Sequence, residues 1–143
     1  MIISKTPLRI SFFSGGSDMP SFYKKEDGAA FSATIDKYIY VMVHKAPHIG
    51  IKMMYDTVEE VNDVDEMQHL ITKESLKHFN LNKGLTITSV SDISSRGSGL
   101  GSSSAFTVGL INSLSKYKWD MDASSKYLAD TACQIEMDKC GYP

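Results

Sequence analysis

The sequence of 143 residues lacks several features that would place it in a specialised class of protein. It has two cysteines, Cys133 and Cys140, and their spacing of seven matches no common zinc or redox motif. The segment MIISKTPLRI has neither a long apolar core nor a small-residue cleavage site, so we expect no secretory signal peptide. No apolar run approaches the length of a membrane span. We therefore expect a cytoplasmic protein with reduced thiols.

The chain also lacks a strong excess of charge. Its net charge is −2, so there is no general attraction to nucleic acid or to anionic membranes, and we expect neither as a partner. The hydrophobic fraction of 42% and the charged fraction of 22% are typical of a soluble globular protein. The length fits one domain.

The periodicity of apolar residues predicts a mixed order of strands and helices. We predict strands near residues 2–13, 29–45, 50–57 and 84–91. We predict helices near residues 65–79, 102–118 and 122–140. Asp122 is the expected N-cap of the last helix. This order indicates an α+β fold rather than a regularly alternating parallel sheet.

One segment, SSRGSGLGSSSAF from Ser94 to Phe106, holds three glycines and six serines between a predicted strand and a predicted helix. A flexible linker has a similar composition. A helix start, however, presents free N–H groups and partial positive charge, and glycines let the backbone close on an anion. The segment is neither a Walker A loop nor the dinucleotide-binding fingerprint. The residues alone thus predict an anion- or phosphate-binding loop.

Four stretches together resemble the GHMP kinases, a family that includes galactokinase, homoserine kinase and mevalonate kinase. GSGLGSSSA (97–105) is similar to the phosphate-binding motif of that family. TPLRISFFSGGSD (6–18) resembles its N-terminal substrate motif, and DKYIYVMVHK (36–45) resembles the strand that follows. ACQIEMDKCGYP (132–143) resembles the helix with the metal-binding Glu. The detailed form is nearest to the D-glycero-D-manno-heptose 7-phosphate kinase branch.

The resemblance implies an α+β fold like the ribosomal protein S5 domain 2-like fold, with a mixed sheet and helices packed on one face. It implies that residues 1–143 form the N-terminal ATP-binding domain of a longer kinase. Family members continue into a segment with an Asp that handles the sugar hydroxyl, and then into a C-terminal domain. We therefore expect residues 1–143 alone to show no measurable sugar kinase activity and to self-associate or be poorly soluble.

The resemblance also assigns binding roles to the Gly/Ser loop. ATP would be bound by Gly97, Ser98, Gly99, Leu100, Gly101, Ser102, Ser103 and Ser104. Mg²⁺ would be held by Ser103 and Glu136. The residues alone leave simpler roles open, because Ser103 also suits the first turn of a helix and Glu136 also suits a solvated surface.

Four residues near the N-terminus complete the implied site. Gly15, Gly16 and Asp18 would bind the sugar, and Arg9 would act as a catalytic residue by steadying the transferring phosphoryl group or the nucleophile. A turn aspartate that caps backbone groups and a surface arginine are the alternatives for Asp18 and Arg9.

The implied activity is transfer of the γ-phosphoryl group of ATP to a hydroxyl of a sugar phosphate, with Mg²⁺. D-glycero-D-manno-heptose 7-phosphate, giving the 1,7-bisphosphate, is the preferred substrate. A galactokinase- or fucokinase-like enzyme for another sugar and a non-catalytic nucleotide or sugar sensor are alternatives. An RNA-binding module is a further alternative, against which the net charge argues.

Overall fold

The computed structural model describes residues 1–13, 17, 19–47, 49–94 and 98–141. In these ranges the strands are β1 (Ile2–Phe13), β2 (Phe31–Lys45), β3 (Ile51–Met54), β4 (Val58–Val61) and β5 (Leu85–Ser91). The helices are α1 (Pro20–Tyr23), α2 (Leu70–His78), α3 (Ser102–Trp119) and α4 (Ser125–Cys133). A 3₁₀ turn, Val64–Glu66, precedes α2, and a π-helical segment, Gln134–Lys139, continues α4.

The five strands form one mixed sheet in the order β1-β2-β5-β3-β4. β3 and β5 are parallel, whereas the other neighbouring pairs are antiparallel. Alternate residues of β2, namely Ile39, Val41 and Val43, are buried beneath the helices, as the period of two predicts. The predicted α+β class with helices on one face is confirmed.

Several predicted boundaries are wrong, each for a local reason. The strand predicted over 50–57 ends at Met54, because a tight turn follows in which Tyr55 N donates to Thr57 O at 2.9 Å. The next strand, β4, lies beyond the predicted bounds. The helix predicted over 65–79 begins only at Leu70, because the 3₁₀ turn Val64–Glu66 and extended backbone at Met67 and His69 come first. Asp122 is not the N-cap of α4, because Ser124 Oγ accepts the Tyr127 N–H instead and the helix starts at Ser125.

Small residues let α3 lie close against the sheet. A Cβ added to Gly109 would stand 2.7 Å from Thr6 Oγ1 of β1 and 3.3 Å from Val41 Cγ2 of β2, so a larger residue would force these side chains or the helix to shift. One turn later, Ser113 Oγ lies 2.7 Å from Ser4 Oγ and 3.2 Å from Val41 O, all in the buried layer. These contacts fix where the N-terminus of α3 stands above the sheet.

Candidate functional site: the Gly/Ser turn and the start of α3

The Gly/Ser segment leads directly into α3. Gly99 and Gly101 have φ values of 65° and 72°, in the left-handed region that side chains disfavour. Gly101 is the N-cap, and its carbonyl accepts the Ala105 N–H at 2.9 Å. Ser98 Oγ braces the turn, because it lies 3.4 Å from Leu100 N and 3.2 Å from Ser102 Oγ. The prediction of a helix after this segment is confirmed, as a linker would not have this ordered turn.

Arg9 of β1 supports the same turn from below. Its backbone N–H donates to Leu100 O at 3.1 Å, and its Nη1 donates to Gly99 O at 3.4 Å. A Cβ on Gly101 would stand 3.2 Å from the guanidinium carbon, so the arginine occupies the space that a side chain would need. Arg9 therefore lies beside the loop to which the sequence assigned the phosphates.

Glu136 reaches the first turns of α3 from the π-helical segment. Ser104 Oγ donates to Glu136 Oε2 at 3.1 Å, and Thr107 Oγ1 lies 2.5 Å from Glu136 Oε1. Thr107 Oγ1 is also 2.9 Å from the carbonyl of Ser103. The carboxylate is partly buried rather than a fully solvated surface charge. The structure thus brings Glu136 and the Ser103 turn together, with Thr107 as the link.

Thr107 is a residue of this site that the sequence analysis missed. It is fully buried and lies four positions after Ser103, which is the spacing of neighbours on one helix face. The spacing was a usable signal, because it places a hydroxyl group on the same helix face as the proposed metal ligand Ser103. Ser104, predicted only as an ATP contact, also touches the carboxylate.

A cavity of about 250 Å³ lies beside the start of α3. Its lining is mixed, with apolar and aromatic side chains beside the polar residues Asp56, Ser89, Ser91, Ser102 and Ser103. The rings of Tyr55, His69 and Phe106 also line it. A partly apolar space with aromatic walls next to a helix N-terminus is suited to a molecule with a flat base at one end and an anion at the other.

His69 is held firmly in the wall of this cavity. Its ring centroid lies 5.0 Å from that of Tyr55 and 5.3 Å from that of Phe106, both edge-on. Its Nδ1 accepts the Thr72 N–H at 3.3 Å and so caps α2. An accepting Nδ1 requires the neutral tautomer with hydrogen on Nε2. Glu59 secures the same corner by accepting from Tyr55 OH and from Gln68 N, both at 2.9 Å.

Burial lowers the pKa of His69 below its ordinary 6.5, while the nearby Glu59 carboxylate opposes the shift. The unfolded chain then binds the proton more readily than the folded chain. Above about pH 6.5 this costs no stability, but the free energy of unfolding decreases as the pH falls toward the lowered pKa of the folded state.

We expect His69→Asn, which keeps a capping acceptor but does not titrate, to lose less unfolding free energy than the parent as the pH falls. Urea unfolding at several pH values between about 7 and 5 measures it. Parallel curves for the parent and the variant would contradict the assignment.

The oxygen donors at the start of α3 suit Mg²⁺. One carboxylate, Glu136, accepts from the hydroxyls of Ser104 and Thr107, and Thr107 also donates to the carbonyl of Ser103. Mg²⁺ in kinases takes one or two carboxylates together with phosphate oxygens. Among the residues described, no group of three or more His, Cys, Asp or Glu side chains is placed to hold a metal ion. One carboxylate with hydroxyl groups beside it fits a metal that also takes phosphate oxygens of a nucleotide.

The other predicted site residues divide into two sets. The first set forms the turn and the start of α3: Ser98, Gly99, Leu100, Gly101, Ser102, Ser103 and Ser104. The second set lies outside the described residues: Gly15, Gly16, Asp18 and Gly97.

Comparison with known proteins identifies the family. The family model described as the GHMP kinases N terminal domain matches residues 66–143, which include the Gly/Ser turn, α3 and Glu136. The chain therefore belongs to the GHMP kinase family, as its motifs predicted. Among curated proteins, no sequence matches. In the part of the chain that the structure describes, no helix is long and apolar enough to cross a membrane.

Solved structures show the same fold. A D-glycero-D-manno-heptose 1-phosphate kinase from Bacteriodes thetaiotaomicron is 25% identical with a TM-score of 0.81, over 99% of this chain and 49% of that one. The mevalonate kinase of Methanococcus jannaschii is 21% identical with a TM-score of 0.74, over 99% and 47% of the two chains. Lactococcus lactis galactokinase is 18% identical with a TM-score of 0.70, over 99% and 39%. The chain thus spans about half the length of these relatives or less.

Proposed function

We propose that the protein is an ATP-dependent sugar kinase and that residues 1–143 are its N-terminal ATP-binding domain. The observation that carries this proposal is the meeting of the Gly/Ser turn, the N-terminus of α3 and the Glu136 carboxylate beside a cavity with aromatic walls. Membership of the GHMP kinases supports a small-molecule kinase. ATP as co-substrate suits a cytoplasmic reaction.

The proposed binding mode follows from the chemistry of each part. The base occupies the cavity lined by Tyr55, His69 and Phe106, and the phosphates lie at the free N–H groups of the turn and of α3. Arg9 holds the turn and adds positive charge near the phosphates. Ser103 and Glu136 hold Mg²⁺, with Thr107 and Ser104 fixing the carboxylate. When bound, Mg²⁺ neutralises the charge that develops on the phosphoryl oxygens.

The proposed acceptor is a hydroxyl of a sugar phosphate bound near Gly15, Gly16 and Asp18. D-glycero-D-manno-heptose 7-phosphate is the preferred substrate, since the sequence motifs are nearest to that branch. The solved structure with a TM-score of 0.81 is a heptose 1-phosphate kinase, which supports a heptose phosphate as the substrate. The substrate assay therefore includes both the 7-phosphate and the 1-phosphate.

The test is a phosphoryl-transfer assay on the full polypeptide that the gene encodes. MgATP is supplied with heptose 7-phosphate, heptose 1-phosphate, galactose or mevalonate, and ADP release and the phosphorylated product are measured. We expect kcat/KM to be highest with heptose 7-phosphate. Preference for another sugar would refute the heptose assignment. Nucleotide binding without turnover on any acceptor would refute the kinase and leave a sensor.

Ser103→Ala tests the role of the hydroxyl at the helix start. Loss of one neutral ligand or hydrogen bond is expected to lower kcat at saturating MgATP by on the order of tenfold, with little change in unfolding free energy. Ser125→Ala is the matched control, because Ser125 is exposed in the first turn of α4, away from this site. Equal kcat in both variants would remove Ser103 from the metal and phosphate contacts.

A further inference from the structure

The cavity beside the start of α3 contains a histidine, His69, whose two ring nitrogens have different surroundings. Its Nδ1 accepts the Thr72 N–H at 3.3 Å, lies 2.9 Å from Thr72 Oγ1, and so caps α2. Within the described ranges its Nε2 has no hydrogen-bond partner, although the residue lines the cavity. Nε2 is therefore the ring nitrogen that is left for a bound molecule.

The capping contact also determines what Nε2 offers. A neutral imidazole has one donor nitrogen and one acceptor nitrogen, and Nδ1 is already the acceptor, so Nε2 carries the hydrogen. Burial lowers the pKa of His69 below its ordinary 6.5, so the ring is neutral at pH 7. The wall of the cavity thus presents a hydrogen-bond donor without a positive charge.

Neighbouring side chains fix the position of this donor. The His69 ring stands edge-on to Tyr55 and to Phe106, with centroids 5.0 Å and 5.3 Å apart. The Glu59 carboxylate accepts the backbone N–H of His69 at 3.4 Å and the hydroxyl of Tyr55 at 2.9 Å. Because the ring is already ordered, little further conformational entropy is lost when a ligand pairs with it.

The charges around the cavity indicate which kind of acceptor meets His69. The Glu59 carboxylate stands at this corner and disfavours a phosphate or another anion there. The positive end of α3 lies instead beside Ser102 and Ser103, which line another part of the cavity. The phosphates of a nucleotide are therefore expected at the serines and a neutral acceptor at His69.

We propose that His69 Nε2–H donates to a ring nitrogen of the adenine base, which makes His69 a specificity-determining residue of the nucleotide site. The inference rests on the proposed function, because it takes this cavity as the site of the base. Adenine has acceptor nitrogens at ring positions 1, 3 and 7, and each can be replaced by C–H with little change in shape. A site with a fixed donor discriminates against the analogue that lacks the matching acceptor, since the donor is then left unpaired.

The test measures the binding of MgATP and of its 1-deaza, 3-deaza and 7-deaza analogues by isothermal titration calorimetry. It uses the full polypeptide that the gene encodes, without a sugar. We expect one analogue to bind about five- to tenfold more weakly than ATP, which is the loss of one hydrogen bond. His69→Asn keeps an acceptor at the position of Nδ1 but has no donor at that of Nε2. It should weaken ATP by a similar factor and leave the affected analogue unchanged.

Two further variants separate this role from the capping of α2. His69→Gln places an amide N–H near the position of Nε2 but lacks the capping acceptor, so we expect nearly parental ATP affinity and a lower urea midpoint of unfolding. His69→Asn should show the reverse. His44→Asn is the matched control, because His44 lies on β2 and does not line the cavity. It should change the affinity of no nucleotide.

The outcomes distinguish this inference from the proposed function. If the parent does not bind MgATP, both are refuted. If the parent binds ATP and all three analogues equally, or if His69→Asn weakens ATP and every analogue by the same factor, the role of His69 is overturned and the kinase proposal stands. An effect of His44→Asn equal to that of His69→Asn would also overturn it.

Discussion

Replacing Glu136 by Gln is expected to lower kcat by on the order of 10²-fold and to raise the Mg²⁺ concentration needed for half-maximal activity. The amide keeps the size of the side chain and one accepting oxygen, so the bonds from Ser104 and Thr107 are only partly lost. What disappears is the negative charge, which a hard cation such as Mg²⁺ requires. The assay is steady-state kinetics across a Mg²⁺ titration on the full polypeptide that the gene encodes.

Asp138→Asn is the control that separates a local role from a change in net charge. Asp138 is exposed two residues further along the same π-helical segment, and the substitution removes the same unit of charge. We expect its Mg²⁺ dependence to match that of the parent. If Glu136→Gln and Asp138→Asn behave alike, or if neither differs from the parent, Glu136 is not a metal ligand.

The part of this site that the sequence could predict is the part built from neighbouring residues. The Gly/Ser turn and the start of α3 are local, because two left-handed glycines followed by a run of helix-compatible residues determine both. The partner of that turn is remote. Glu136 lies 32 positions from Ser104, and its place in the predicted last helix alone favoured a solvated surface charge. Only the family resemblance singled it out.

The cavity beside α3 could not be predicted from the sequence for a related reason. Tyr55 follows β3, His69 caps α2 and Phe106 belongs to α3, so the three rings meet only after the sheet and helices have assembled. No pattern of period two or 3.6 links residues so far apart in the chain. Each ring taken alone is equally compatible with an ordinary core position.

Helix boundaries were predicted less well than helices, and α4 shows why. Asp122 and Ser124 are both good capping residues, and their sequence positions do not decide between them. In the fold, Lys116 at the end of α3 pairs with Asp122, which leaves Ser124 to cap α4. The change to π-helical turns at Gln134 likewise has no single-residue signal, although it sets where Glu136 stands relative to α3.

The second large effect concerns the helix that carries the proposed nucleotide site. Leu110→Ala is expected to lower the free energy of unfolding by about 2–5 kcal/mol, because it removes a fully buried side chain and leaves a cavity that rigid neighbours cannot fill. Gly109 and Ser113 already hold α3 close to β1 and β2, so the helix cannot simply move inward to close the gap. Urea unfolding followed by circular dichroism measures the change, with an unchanged m-value as the sign of an intact native state.

Leu70→Ala is the matched control for this loss, since it deletes the same atoms from another helix. Leu70 is the first residue of α2 and is 46% exposed, so we expect a change within about 0.5 kcal/mol. The contrast between the two leucines isolates burial from helix propensity, because alanine is the better helix former at both positions. A loss at Leu110 no larger than that at Leu70 would show that α3 is not anchored through this face. The position of its N-terminus would then need a different explanation.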